Sequence, residues 1–513
     1  MKRLIVSLLS VLLILGSSQS LTGGALESNR APENLVNPAT NWWPQSVQSN
    51  AQLVELSQYL KLQSGIETSG LITADTNSAI TAESTAAPSA EATSEPTAEA
   101  TSEPTADAPA TTATETAAAQ APTAQQLEDE YDAVWQIVAF SYYNPDALTN
   151  WGSWRHKFDG QLTTVPELET ALQEMVASIG DHWTSYTPRT DLLASWQSHQ
   201  AGYVDLGLTL QLQNGAYRVF YVQYGSAAWL ADFRRGDIIT EIGGTRVTNK
   251  TTEAEVEAML SRQAGSKVTI AYQHGTTTER TTLTAIEAPA DEVVSHLDTN
   301  GIAYIRLPNF EDTQLLQDFF TQLRALYDDS APQHFKAIAL DLRGNPGGRL
   351  DEALDFVSVF LPDGVALNET TRSGRMLTTS QLFLEPSTIA GYKPSEFAAY
   401  LQRVPMFVLI DGTTASAAEV TTGALKDNER AIIIGTTTFG KGVGYVRFDQ
   451  NSGPYQVRPA GGLLQITTLS YRTPDGDEVQ GYGIHPDIAI QQPRAHTTDT
   501  QLEQALRYIN AHA

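Results

Sequence analysis

The rhythm of apolar and polar positions changes several times along the chain. Apolar side chains recur at three- and four-residue intervals through Leu127, Tyr131, Val134, Trp135 and Val138, and again from Pro166 to Ile179, which predicts two amphipathic helices. Pro166 falls in the first turn after Thr163 and Thr164, where a helix start places it. From about 202 to 286 the rhythm shortens to strand-length runs divided by turns: LGLTLQL, YRVFYVQ, GDIITEIGGTRV and SKVTIAYQ, with one helical stretch at Thr252 to Leu260. Beyond it, the apolar runs Ile302 to Leu307, Ala337 to Leu342, Val404 to Ile410 and Ala431 to Ile434 are separated by helix-period stretches at Thr313 to Tyr327, Leu350 to Leu361 and from near Ala415. Strand, helix, strand, loop, helix predicts an α/β layer with parallel strands, whose sites form in loops at the carboxyl ends of those strands. Three such loops stand out: NPGG (345–348), DGTTAS (411–416) and FGKG (439–442). They open on one edge of the sheet if their strands are parallel neighbours.

Composition adds limits. The 513 residues exceed one ordinary domain, and 32 Lys and Arg against 59 Asp and Glu give no electrostatic basis for binding nucleic acid. There is no cysteine, so disulfides, thiolate metal sites and a cysteine nucleophile are excluded, and the nine histidines show no metal spacing. No cofactor is implied. Met1, Lys2 and Arg3 precede an apolar run from Leu4 to Leu15 and a small polar segment to Ala25, the order of a secretory signal. The expectation is a secreted or cell-envelope protein, touching a membrane only through that segment if it is left uncleaved. Residues 26–80 carry no sustained pattern. Residues 81–123 are rich in Ala, Thr, Ser, Pro and Glu, with the octad EATSEPTA at Glu91 and again at Glu99, a composition that predicts a disordered tether.

The chemistry concentrates between Val404 and Gly444. Ser416 lies at a strand-to-helix turn, where a serine serves either as an ordinary N-cap or as a nucleophile beside the positive end of the helix dipole. Lys441, flanked by Gly440 and Gly442, is either solvated surface or a desolvated amine able to accept a serine proton. Serine–lysine pairs are one variant of triad logic. His182 and His485 lie in short loop segments without a matching acidic orienter nearby. A rival reading is phosphate binding, since Gly435 to Lys441 spells GTTTFGK and fits GxxxxGK. It fails because Gly442 stands where Ser or Thr would hold Mg²⁺, and Val443 to Phe448 reads as a strand instead of a helix.

Two resemblances then become specific. Asp205, Leu206, Gly207 and Leu208, followed by RRGDIITEIGGTRV, resemble a PDZ domain of the circularly permuted kind. That resemblance makes Leu206, Gly207 and Leu208 the peptide-binding loop, which holds a terminal carboxylate while the peptide adds as a strand. DLRGNPGG, TTASAAE, TFGKG and LSYRTPDGDEVQGYGIHPDI, in that order, resemble the carboxyl-terminal processing (tail-specific) serine proteases from about Leu127 onward. The resemblance implies Ser416 as nucleophile, Lys441 as general base, and Gly348 and Ala417 as donors of an oxyanion hole, with Gly347 the fallback. Glu419 matches a position of structural support. Where the family has a glutamine that orients the lysine, this chain has Tyr445, a possible orienter through its hydroxyl. The implied architecture is an α+β multidomain chain: a helical subdomain over 124–200, read as structural, a permuted PDZ β-sandwich over 201–288, an α/β protease core with a partly parallel sheet over 289–493, and a terminal helix over 494–513. The implied activity is a serine endopeptidase cleaving proteins near free C-termini. The alternative is a weak or inactive protease-like scaffold that binds peptide C-termini. The oligomeric state is not implied.

Overall fold

The computed structural model describes residues 121–200, 203–287, 291–386, 396–448, 460–492 and 499–513. The signal-like segment, residues 26–80 and residues 81–120 of the tether lie outside the described residues. Helix α1 (Ala124–Ser141) opens with a capping box between Thr123 and Gln126, and α2 (Val165–Ala177) with one between Thr164 and Glu167. Their apolar faces meet through Leu127, Val134, Leu168 and Met175 and are buried against Leu464 and Ile466. After α2 the chain forms a short strand, β1 (Ser185–Thr187).

An antiparallel sheet follows in the order β2 (Leu208–Gln213), β3 (Ala216–Val222), β4 (Ile238–Ile242), β5 (Lys267–His274) and β6 (Thr277–Thr284), with helix α3 (Glu253–Leu260) between β4 and β5 in sequence. Seven of the eight residues of β6 are polar and only Leu283 is buried, so no apolar run announces it.

The second half of the chain builds a six-stranded sheet: β7 (Val294–Leu297), β8 (Ile302–Arg306), β9 (Ala337–Asp341), β12 (Met406–Ile410), β13 (Ile432–Gly435) and β16 (Ile488–Ala489), side by side in that order. All neighbours are parallel except β7, which runs antiparallel to β8. Helices α4 (Thr313–Asp329), α5 (Leu350–Phe360) and α6 (Ala417–Asp427) cover one face, burying Ile305, Ile338, Leu340 and Val408. On the other face α7 (Thr500–His512) covers Ile302, Ala339, Phe407 and Ile434 with Ala505 and Ile509. Burial on both faces is why these strands read as unbroken apolar runs.

A second sheet is centred on the long strand β15 (Leu463–Arg472), which pairs antiparallel with β1, with β10 (Val365–Ser373) and with β14 (Val443–Phe448). Strand β11 (Met376–Phe383) extends it from β10 as a hairpin. The parallel register of β9, β12 and β13 brings the three Gly- and Ser-bearing loops to one edge of the main sheet. That edge faces β14 and β15.

Candidate active site

Strand β12 ends at Ile410, and after a turn the chain reaches Ser416 at φ 55° and ψ −119°, one residue before α6. A non-glycine residue in the left-handed region stores strain that its surroundings must offset. Here the Ser416 amide donates to Glu419 Oε2 (2.8 Å), and the Ser416 carbonyl accepts from the amides of Glu419 (2.7 Å) and Val420 (2.9 Å). The NPGG loop lies against this turn. A Cβ on Gly347 would come within 2.7 Å of Ala415 O and 2.8 Å of Ala417 N, so only glycine fits. The Asn345 side chain spans the loops: its Nδ2 donates to Leu307 O (3.0 Å), and its Oδ1 accepts from Gly347 N (2.8 Å). The Ala415 amide in turn donates to Asn345 O (2.9 Å). Gly347 has thus committed its N–H. Among the described residues, the N–H groups of Gly348 and Ala417 have no acceptor and remain available as donors.

Lys441 lies in the loop between β13 and β14 and is only 8% exposed. Its backbone is bound to the Ser416 turn twice. The fully buried Glu419 carboxylate accepts from Lys441 N (2.8 Å), Gly440 N (2.6 Å) and Thr438 Oγ1 (2.6 Å) in addition to Ser416 N. The Tyr471 hydroxyl, on β15, lies 2.7 Å from Lys441 O and 3.1 Å from Ser416 O and shares its proton between them. Burial pushes the Glu419 carboxyl up from its ordinary value, and its four donors pull against that. Burial lowers the Lys441 ammonium to about 8, helped by the Arg447 charge and opposed by Glu311 and Glu419. Lys441 is followed by strand β14, so no helix N-terminus stands behind GTTTFGK as phosphate binding needs.

The Lys441 amine rests between two rings, 4.4 Å from the Trp183 ring centre and 4.3 Å from that of Tyr445. The Lys441 amine makes no hydrogen bond among the described residues. The Tyr445 hydroxyl, expected to meet the lysine, instead accepts from Arg447 Nη2 (3.0 Å). Trp183 comes from the end of the helical subdomain, which the sequence marks only as structural. Its motif GDHWTSY is local, whereas its meeting with Lys441 depends on β1 pairing with β15. Tyr471 was likewise missed as part of the site, although it lies within the LSYRTPDG motif.

The β2–β6 domain is seated on this edge. Arg235 donates from Nη1 to Phe439 O, and its guanidinium lies 4.2 Å from the Phe439 ring centre. Phe220 on β3 meets Phe439 edge to face (5.0 Å) and lies 5.8 Å from Trp183. Tyr224 fills the space beside Gly344, where a Cβ would come within 2.3 Å of it. Farther from the edge, Leu206 and Leu208 turn their side chains into the domain core, and Gly207 (φ 84°) donates its N–H to the Asp205 carboxylate. Among the described residues no three His, Asp or Glu side chains gather as metal ligands would.

Comparison with known proteins gives this geometry a family. Residues 301–490 match peptidase family S41, and residues 218–273 match the PDZ domain. The core that carries Ser416 and Lys441 is thus similar to peptidase family S41. The S41 match begins at β8 and ends after β16, taking in Ser416, Lys441 and all three loops. Among curated proteins, the chain is similar to a carboxy-terminal-processing protease of Bartonella bacilliformis, 28% identical over 362 residues, covering 67% of this chain and 75% of that protein. It is similar to a probable CtpA-like serine protease of Staphylococcus aureus, 27% identical over 328 residues, covering 64% of this chain and 60% of that protein. Its fold is shared with the photosystem II D1 C-terminal processing protease, with a TM-score of 0.57 at 22% identity, covering 75% of this chain and 98% of the other. It is a serine-type peptidase by family, with the α+β architecture that family implies.

Proposed function

We propose that this peptidase cleaves polypeptides near their carboxyl ends with a Ser416–Lys441 dyad, the PDZ domain receiving the substrate's terminal segment. The observation that carries the reading is the double tie between Ser416 and Lys441: one carboxylate, Glu419, and one hydroxyl, Tyr471, hold both backbones in a common frame around a buried amine. In that frame Ser416 Oγ attacks the scissile carbonyl carbon while neutral Lys441 takes its proton. The N–H groups of Gly348 and Ala417 donate to the oxygen as it becomes negative. Collapse of the tetrahedral intermediate breaks the C–N bond, and the Lys441 ammonium protonates the departing amine. Water, deprotonated by Lys441, then releases the acyl group from Ser416.

A second reading has a specific observation behind it. Ser416 Oγ and Lys441 Nζ are not hydrogen-bonded to one another, and Tyr445 replaces the family's glutamine, as in a scaffold that binds peptides without cutting them. The full-length protein, assayed on an unstructured protein with a free apolar C-terminus, separates the two. Cleavage should fall by at least about a thousandfold in Ser416→Ala and in Lys441→Ala. Binding without cleavage in the unmutated protein would favour the scaffold. The site of action is proposed to be outside the cytoplasm, on the strength of the signal-like N-terminal segment, and cell fractionation tests it.

A further inference from the structure

We propose that Trp183 and Tyr445 are positioning residues that hold the ammonium form of Lys441 between their ring faces, so that a pair of rings, in place of a hydrogen-bonding side chain, sets where the base rests and when it releases its proton. The inference deepens the reading of Lys441 as the base and rests on it.

Both rings lie within cation–π range of Nζ, at 4.4 Å and 4.3 Å from their centres. An amine this buried needs compensation for lost water, and among the described residues it has neither a hydrogen-bond acceptor nor a carboxylate partner in contact. The two rings supply it.

The rings are also fixed relative to one another. Gln465 on β15 donates from Nε2 to Trp183 O (2.9 Å) and accepts at Oε1 from Arg447 Nε (3.0 Å), and Arg447 Nη2 donates to the Tyr445 hydroxyl (3.0 Å). One relay, Trp183 to Gln465 to Arg447 to Tyr445, therefore joins the two walls. The Trp183 segment is anchored further by Asp181, which accepts from Thr184 Oγ1 and from Thr467 Oγ1, both at 2.6 Å. Phe439 and Phe220 pack around the Trp183 ring at 6.3 and 5.8 Å. Such locking is what a positioning role requires and what chance proximity of a flexible lysine would lack.

The charges that face Lys441 come from every side. Arg447 on β14 opposes its protonation, as does burial; Glu311, ahead of α4, and Glu419 on α6 favour it. His182, next to Trp183, is itself held below its ordinary value, mainly by burial, with Lys441 contributing. The negative ring faces add to the side that favours the ammonium. Replacing a ring by leucine keeps the site dry but removes that face, so the proton should leave at lower pH. Phenylalanine keeps the face and discards only the hydroxyl or the indole N–H.

The test is direct titration of Lys441 in the full-length protein carrying ¹³C at lysine Cε, the resonance being assigned by its loss in Lys441→Ala. It should lie upfield of the other lysines through ring currents. Trp183→Leu and Tyr445→Leu should each move it back toward them and lower its midpoint by about 0.5–1 pH unit, while Trp183→Phe and Tyr445→Phe keep both properties. The acid limb of kcat/KM should move with the resonance. Equal behaviour of leucine and phenylalanine variants, or no upfield shift in the unmutated protein, would overturn the proposal. The unmutated shift is decisive even where a leucine variant fails to fold. Cleavage surviving Lys441→Ala would remove the base assignment instead, which the resonance alone does not test.

Discussion

In the proposed mechanism Lys441 must be neutral to take the Ser416 proton and charged to hand it on. Its ordinary value lies far above neutrality, and the fold brings it down to about 8. The sign follows: the neutral, competent form grows as pH rises, so kcat/KM should climb through a midpoint near pH 8 and fall about tenfold per unit below pH 7. A profile flat between about pH 6 and 9 would contradict Lys441 as the base. Glu419 is a second residue-scale test. Glu419→Ala leaves four buried donors unpaired and should cost about 3–5 kcal/mol of stability in denaturant unfolding, with Glu419→Gln milder because its amide oxygen still accepts. Ser416, Lys441 and the glycine loop were legible because each sits in a short motif whose chemistry is local. The ring partner Trp183 was not, because its role depends on a meeting across 441 − 183 = 258 residues that no local pattern encodes.

Strands β8, β9, β12 and β13 could be read from apolar runs because helices bury both their faces, and their parallel order followed from the alternation with α4, α5 and α6. The β10–β11 hairpin went unread because β11 is exposed along nearly its whole length, so packing selects few of its residues. The PDZ loop shows another limit. Leu206 to Leu208 were recognisable, but the N–H of Gly207, one of the amides expected to receive a terminal carboxylate, is engaged by the Asp205 side chain. A second carboxylate must displace the first against like-charge repulsion. Asp205→Gly should therefore tighten binding of a short peptide with a free C-terminus by about tenfold or more in fluorescence anisotropy. Unchanged affinity would place the carboxylate elsewhere.

At the scale of the molecule, the PDZ domain contributes Phe220, Tyr224 and Arg235 to the wall around the edge that carries Ser416 and Lys441. Phe220→Ala removes an edge-to-face contact worth about 0.5–1.5 kcal/mol beyond its area, so the amides of Phe439 to Gly442 should exchange with solvent about two- to tenfold faster. Unaltered exchange there would mean that the domain's seat does not steady the lysine loop. Strand β15 has a consequence of a different kind. It carries Tyr471, which ties the Ser416 and Lys441 backbones, and Gln465, which joins the walls around the amine, and it pairs with β1 beside Trp183. It also follows the PDZ domain and strands β8, β9, β12 and β13 in sequence. A nascent chain, folding from its N-terminus, can complete the PDZ domain and several of the parallel strands while the proposed dyad is still unassembled. Assembly of the proposed centre therefore waits on a strand that follows most of the fold in sequence.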